Sequence, residues 1–361
     1  MPETNILSLN FGSSSLKFGL YSCVDHQFTL LIEGEAEEVG RDAATFWSRK
    51  GDDPKHEKSQ PIPDHNAALS MALQTIQQHP DAIGQRVVHG GPNLRDHHLL
   101  DKETREKLRA AVPFAPLHLP SSLAVIDAVS QQMPAVPQVI CLDTAFHKDL
   151  PDVAKTLPFS REVRDRGVER YGFHGLSVES IVEQLVDIPE RTVVAHLGSG
   201  ASITALHKGR SIDTSMGMTP TGGIIMGTRS GDVDPGALVY LLHNGTDSDG
   251  LARLVDHESG LKGISERSSD VRELTAARSH DSKCDLALRM FAYSARKTIA
   301  AMAAALGGLD LLVFTGGIGQ HAEQTREEIR LGLSFLGTFK TKVLPAQEDL
   351  QIARITRRLT S

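Results

Sequence analysis

Two stretches of the chain have the same shape: Leu-Asn-Phe-Gly-Ser-Ser-Ser at residues 9–15 and Ala-His-Leu-Gly-Ser-Gly-Ala at residues 195–201. Each is a strand end, a polar residue, an apolar residue, then Gly-Ser and a small residue. Asn5 to Asn10 alternates apolar and polar like a strand, Gly12 to Ser15 forms the turn, and Leu16 to Tyr21 reads as a second strand. Arg191 to Leu197, Gly198 to Gly200 and Ala201 to Leu206 repeat that plan, and a Lys208-Gly209 hairpin turn then leads into Ser211 to Asp213. A strand–turn–strand unit opening each half predicts an internal duplication of one α/β domain. Length agrees, because 361 residues exceed one ordinary core and suggest two domains or three.

The remaining patterning fits α/β units. Ile140 to Leu142 is a short apolar strand that ends in Asp143. Residues 40–63 are polar, contain Trp47, Gly51, Pro54, Pro61 and Pro63, and read as an irregular or edge segment. Asp64 is placed to cap a helix to about Gln78, with Ala68, Met71, Ala72, Leu73 and Ile76 on its apolar side. The strongest helix runs from Asp285 to Leu306, where Leu288, Phe291, Ala295, Ile299, Met302 and Leu306 recur at steps of three and four. Gly307-Gly308 ends it. Leu311 to Phe314 reads as a buried strand, followed by a glycine turn and a charged helix from about Ala322. Free backbone N–H groups converge at such a junction and make an anion site.

Charge and composition exclude several classes. A net charge of −7 without any Lys/Arg block argues against a nucleic-acid partner. The most apolar run, Ile299 to Leu306, is short and flanked by Arg296, Lys297 and Asp310, so no membrane span is expected. The N-terminus enters a strand without the basic region, apolar stretch and cleavage site of a secretion signal. Cys23, Cys141 and Cys284 are odd in number and widely spaced, which suits buried, reduced thiols in a cytoplasmic protein rather than a disulfide framework or zinc site.

Three glycine-rich turns lie at strand ends: Gly12 to Ser15, Gly198 to Ser202 and Gly316 to Gly319. Singly, each is a plain tight turn. Together they offer backbone donors that a phosphate can approach closely, and point to a nucleotide site. None is GxxxxGK[ST], and none fits the GxGxxG fingerprint of a dinucleotide-binding fold. Arg86 sits in GQRVVHGG and Arg229 in MGTRSGDVDP. An isolated arginine is most simply a surface ion-pair partner, but paired arginines in glycine-rich, otherwise uncharged surroundings suit planar carboxylates and phosphoryl oxygens. His118, His147, His174 and His196 form no HxxxH or HExxH metal pattern, and each alone reads as a structural histidine. His174, between Phe173 and Gly175, is the one best placed to line a pocket.

Taken together, the motifs ILSLNFGSSSLKFGL, GQRVVHGG, FAPLHLP, CLDTAFH, YGFHG, HLGSGAS, DTSMGMTP, GGIIMGTRSGDVDPG, SGLKGISERSSDVREL, ALGGLDLLVFTGGIG and QEDLQIA resemble those of the acetate kinase family, which includes propionate and butyrate kinases. The resemblance covers nearly the whole chain. It implies the actin–Hsp70–sugar-kinase fold group, with two duplicated α/β domains around a nucleotide cleft, spanning 1–147 plus 349–361 and 148–348. Closure of such domains would exclude water, a competing acceptor. The implied activity is reversible, direct in-line phosphoryl transfer between ATP and acetate, giving ADP and acetyl phosphate. Variants of the same fold acting on propionate or butyrate, or using pyrophosphate, are the alternatives, and a non-catalytic nucleotide-binding scaffold is the remote one.

The resemblance also implies roles. Asn10 and Glu348 would place Mg²⁺ (or Mn²⁺), and Ser15 and Lys17 lie in the first phosphate-facing turn. Arg86 and Arg229 would hold the carboxylate and the phosphoryl group, Asp143 is the acid at the reaction centre, and His174 would hydrogen-bond the transferring group. Val88, Leu117, Phe173 and Pro220 would surround the acyl tail. His196, Leu197, Gly198, Ser199 and Gly200, with Gly317, Ile318, Gly319, Gln320 and His321, would form the nucleotide phosphate loops, and Asp270, Val271 and Arg272 the adenosine contact. A homodimer is implied as well. The chain departs from the family pattern mainly on the nucleotide side: Ser199 replaces an asparagine, Gln320-His321 replaces Glu-Asn, and Ala346-Gln347 replaces Thr-Asn before Glu348. Leu119 replaces an asparagine in the APLHNP motif, Leu176-Ser177-Val178 stands where the family reads Thr-Ser-His, and the segment between Gly332 and Leu344 is shorter than usual.

Overall fold

The alternating stretch near the N-terminus is strand β1 (Thr4–Phe11), which folds back antiparallel onto β2 (Ser15–Val24) in a register that sets Asn10 opposite Lys17. The computed structural model describes residues 3–12, 14–116 and 118–361, which divide into two units. Unit 1 comprises residues up to Lys148, Gly175–Ser180 and Gln347–Ser361; unit 2 comprises Asp149–His174 and Ile181–Ala346. The sequence-expected boundaries leave Gly175–Ser180 in the second domain. The structure assigns that turn of helix to unit 1, where Leu176 is buried with Val139, Cys141, Ile352 and Ile355.

The sheet of unit 1 continues through β3 (Gln27–Glu37), β4 (Thr45–Lys50), β5 (His56–Ser59), β6 (Ala82–Val87), β7 (His98–Leu99) and β8 (Gln138–Leu142). Its order is β5-β4-β3-β2-β1-β6-β8-β7. The polar segment 40–63 thus contributes β4 and the wholly exposed edge strand β5, with its prolines outside the strands because proline cannot donate to a ladder. Unit 2 is built on β9 (Arg191–Leu197), β10 (Ala201–His207), β11 (Arg210–Thr214), β12 (Leu311–Thr315) and β13 (Lys340–Val343), ordered β11-β10-β9-β12-β13.

The two sheets share one plan. In each, three antiparallel strands (β3-β2-β1 and β11-β10-β9) continue into two strands parallel to the first (β6-β8 and β12-β13). The duplication read from the Gly-Ser repeat is therefore a duplication of topology. Lys208 and Gly209 both have positive φ, 51° and 81°, which is what a two-residue turn matched to strand twist requires.

Helices cover these sheets. The Asp64-capped helix runs His65–Thr75 and stops short of Gln78, because Ile76 turns extended. The long helix of unit 2 spans Ser282–Leu306; Asp281 accepts the N–H groups of Lys283 and Cys284, and Gly307 ends it at φ 72°. Its Leu288, Phe291, Ala295, Ile299 and Met302 are buried, and it packs on β9 and β10. Full burial of each large apolar side chain contributes about 1.5–3 kcal/mol. The C-terminal helix, Glu348–Thr360, lies on β1, β6 and β8. Gly84 on β6 permits this contact, since a Cβ there would sit 2.1 Å from Thr356 Oγ1. Among the described residues no helix is long and apolar enough to cross a membrane, and all three cysteines are buried and unpaired.

Candidate active site

Unit 1 gathers its candidate residues at the ends of β1, β6 and β8 and the start of the C-terminal helix. Arg86, the penultimate residue of β6, donates from Nε and Nη2 to Asp143 Oδ2 at 3.0 and 2.5 Å. Its Nη1 donates to Asn10 Oδ1 at 3.3 Å and to the Phe11 carbonyl at 3.0 Å. These bonds engage four of the five guanidinium N–H groups and leave one on Nη2. Burial opposes the charge on Arg86, but the Asp143 carboxylate outweighs it and holds the guanidinium above its ordinary range. Burial pushes the Asp143 carboxyl up, against the pull of Arg86. Asp143 is anchored at both ends of its backbone, its N–H donating to Val87 O (3.0 Å) and its carbonyl accepting from Gly175 N (2.8 Å). A Cβ on Gly175 would lie 2.3 Å from that carbonyl, so only glycine fits there.

Beside the arginine, Asn10 Nδ2 donates to Glu348 Oε2 at 3.2 Å. Asp349, which the sequence reading missed, stands beside Asn10, and its Oδ1 is shut from solvent without a hydrogen-bond partner. Burial and then the Glu348 charge push its carboxyl up to about 6. An orphaned carboxylate oxygen beside an amide and a second carboxylate is the hard-oxygen chemistry that suits a divalent cation. Among the described residues no group of three His, Cys, Asp or Glu forms a complete cage. A cation here would take one or two protein oxygens and fill its shell with waters and phosphate oxygens, as Mg²⁺ does. Lys17 lies 3.8 Å from Glu35, whose carboxyl burial pushes up to about 7 against the pull of Lys17. Ser15 begins β2 directly after the turn. Val88 is buried just past β6. Leu117 lies outside the described residues.

Unit 2 assembles a second group. His174 caps the helix Gly175–Gln184 from the left-handed region, φ 57°. A non-glycine residue there costs of order 1–3 kcal/mol and persists only where the surroundings hold it. Ser202 and His196 are among the groups that hold its ring. Ser202 Oγ lies 3.0 Å from Nδ1, and the His196 ring stacks on it at 4.2 Å. Both partners come from the β9–β10 hairpin, in which His196 and Ser202 are opposite one another. Ser202 was not singled out from sequence, although its distance from the Gly198–Gly200 turn equals that of His196 and was the available signal. Ser202→Ala is expected to lower turnover roughly fivefold, the worth of about 1 kcal/mol of lost hydrogen bond, with nucleotide KM unchanged. Steady-state kinetics checks this.

Arg229 reaches the same place. A Cβ on Gly200 would lie 3.3 Å from both His174 Nε2 and Arg229 Nη1, so the bare glycine lets a ring nitrogen and a guanidinium converge. Arg229 Nη1 also donates to the Pro220 carbonyl at 3.2 Å. Phe173, preceding His174, is fully buried. The two phosphate-loop candidates adjoin. A Cβ on Gly198 would lie 4.0 Å from Gly317 N, and Gly316, at φ 78°, brings its backbone to Leu197 O, where a Cβ would stand at 2.5 Å. His196 and Leu197 end β9, Ser199 O accepts from Gly227 N at 3.0 Å, and Gly317, Ile318, Gly319, Gln320 and His321 form the short helix Gly316–His321. Asp270 caps the helix Val271–Ala277, accepting from Arg272 N at 2.7 Å and pairing with the Arg272 side chain at 2.6 Å, which holds its carboxyl below the usual range.

Comparison with known proteins identifies the family. The family model described as the Acetokinase family matches residues 5–351. An acetate kinase from Oceanobacillus iheyensis is 35% identical over 395 aligned positions, covering 99% of each chain. Among solved structures, a propionate kinase from Francisella tularensis superposes with a TM-score of 0.92 at 33% identity, and an acetate kinase from Porphyromonas gingivalis with 0.88 at 32%, each covering 99% of this chain and 100% of its own. The chain belongs to the Acetokinase family.

Proposed function

We propose that the protein is a kinase of short carboxylates that catalyses ATP + acetate = ADP + acetyl phosphate by direct in-line transfer. The observation that carries this reading is the convergence of His174 Nε2 and Arg229 Nη1 over Gly200, which puts a hydrogen-bonding ring and a cation at one point beside two glycine loops. The chemistry needs little else from the protein. Acetate is ionised at pH 7 and needs no general base. The task is to hold two anions that repel one another and to neutralise the group in transit. Asp143 then serves to aim and hold Arg86, whose remaining Nη2 donor is assigned to the acyl carboxylate. Val88, Leu117, Phe173 and Pro220 are assigned to the acyl tail, and Asp270, Val271 and Arg272 to the adenosine. Asn10, Glu348 and Asp349 would hold Mg²⁺ (or Mn²⁺), which when bound neutralises phosphate charge.

The test is acyl-hydroxamate formation by the purified protein with Mg-ATP, and separately with pyrophosphate, across acetate, propionate and butyrate. Product with ATP and acetate supports the reading, and none from any pair overturns it. One methylene is worth about 1–3 kcal/mol, so the chains should separate by roughly 10–200-fold in kcat/KM.

We also propose a cytoplasmic homodimer. Buried thiols at Cys23, Cys141 and Cys284 support a reducing compartment. Leu286, Met290 and Tyr293 make an exposed apolar stripe on the long helix, lining a groove of about 400 Å³ with Arg289, Arg296 and Glu328, and such a stripe supports association with a second copy. Sedimentation should show a dimer for the wild type and a monomer for Met290→Glu/Tyr293→Glu; a monomeric wild type would overturn this.

A further inference from the structure

Strand β8 delivers Asp143, yet its last N–H on one side has no strand to bond. On the β6 side the next amide, Asp143 N, is taken by Val87 O. On the other side β7 is only two residues long, pairing His98 with Ile140 and Leu99 with Val139. Leu142 N–H lies beyond its reach and is buried. The side chain of His97 takes the vacant strand's place: Leu142 N donates to His97 Nδ1 at 3.1 Å. The side chain is 5% exposed. Accepting at Nδ1 puts the proton on Nε2, which faces the Glu179 carboxylate, 3.5 Å from its buried Oε2. Glu179 comes from the helix Gly175–Gln184, and Arg358 of the C-terminal helix stands 3.9 Å from its other oxygen. Asp96, itself paired with Lys148, accepts the backbone N–H of His97 at 2.8 Å.

We propose that His97 is a positioning residue for Asp143. Its imidazole stands in for a missing strand, caps the final peptide of β8 and so fixes the residue that holds Arg86, while Glu179 keeps the ring in its accepting tautomer. The inference rests on the catalytic reading of Asp143. Nothing in the sequence marked His97, one of two adjacent histidines in a polar loop, because its partner is a backbone amide 45 residues away.

The two amide isosteres of histidine separate the ring's two contacts. His97→Asn keeps an acceptor where Nδ1 stands, and His97→Gln keeps only a group facing Glu179. His97→Gln is expected to lower kcat roughly tenfold with KM for ATP within about twofold, and to speed hydrogen exchange of the Leu142 amide. His97→Asn is expected to restore most of the rate and the amide protection. Wild-type kcat and Leu142 exchange in His97→Gln, in a preparation where Asp143→Asn is inactive, would overturn this inference alone. Equal loss in both folded variants, judged by thermal melting, would overturn the acceptor role. Full activity in Asp143→Asn would overturn the catalytic reading and this inference with it.

Discussion

Arg229→Ala is expected to lower turnover by about 10³–10⁵ while leaving the fold intact, because a cation that contacts the transferring phosphoryl group commonly supplies that much. The structure explains why folding should survive. Arg229 is partly exposed, with Nη1 donating to the Pro220 carbonyl at 3.2 Å and lying 3.8 Å from the Met226 sulfur, so its truncation seals no cavity into the core. Arg229→Lys should recover little, since an ammonium cannot reproduce the planar fork. Single-turnover kinetics with acetate and Mg-ATP, beside a melting curve, decides the matter. A kcat within about threefold of wild type would remove Arg229 from the chemistry.

Arg86 and Asp143 should behave in the opposite way. Their pair is buried, with Asp143 2% exposed, and each shifts the proton affinity of the other. Removing one partner leaves the other charge unsatisfied at a cost of about 3–5 kcal/mol. Arg86→Leu and Asp143→Leu should therefore each lower stability by that amount and abolish turnover. The double variant should regain much of the stability, since an apolar pair of similar volume is often neutral or better, yet regain no activity. Urea unfolding of all three beside the hydroxamate assay tests both halves. Additive stability losses in the double variant would show that the pair is not coupled.

What the sequence disclosed, it disclosed through local signals. The Gly-Ser repeat, the alternation in β1 and the three-and-four spacing of the long helix each sit within a few residues of what they specify. Arg86, Asp143, His174 and Arg229 were reached because they stand in distinctive motifs. Asp349, Ser202 and His97 were not, for a shared reason: each acquires meaning from a partner brought in by topology. Asp349 lies at one end of the chain and Asn10 at the other. Ser202 matters through a histidine 28 residues earlier. Asp270 shows the reverse case, a motif residue whose carboxylate caps its own helix.

The placement of the C-terminal helix sets an order for birth as well as for architecture. Unit 1 takes in β1, yet Ile352, Ala353 and Ile355 of the C-terminal helix, more than 300 residues later, are buried in its core beside Cys141 and Ile6. A growing chain therefore emerges from the ribosome with one face of β1, β6 and β8 bare, and cannot cover it until Glu348–Thr360 has been made. Most of unit 2, continuous from Ile181 to Ala346, is complete sooner. The unit made first is thus the unit finished last, and Glu348, the opening residue of the closing helix, arrives only with that final piece. Loss of Glu348–Thr360 would therefore strip the cover from a core whose strands were made hundreds of residues earlier.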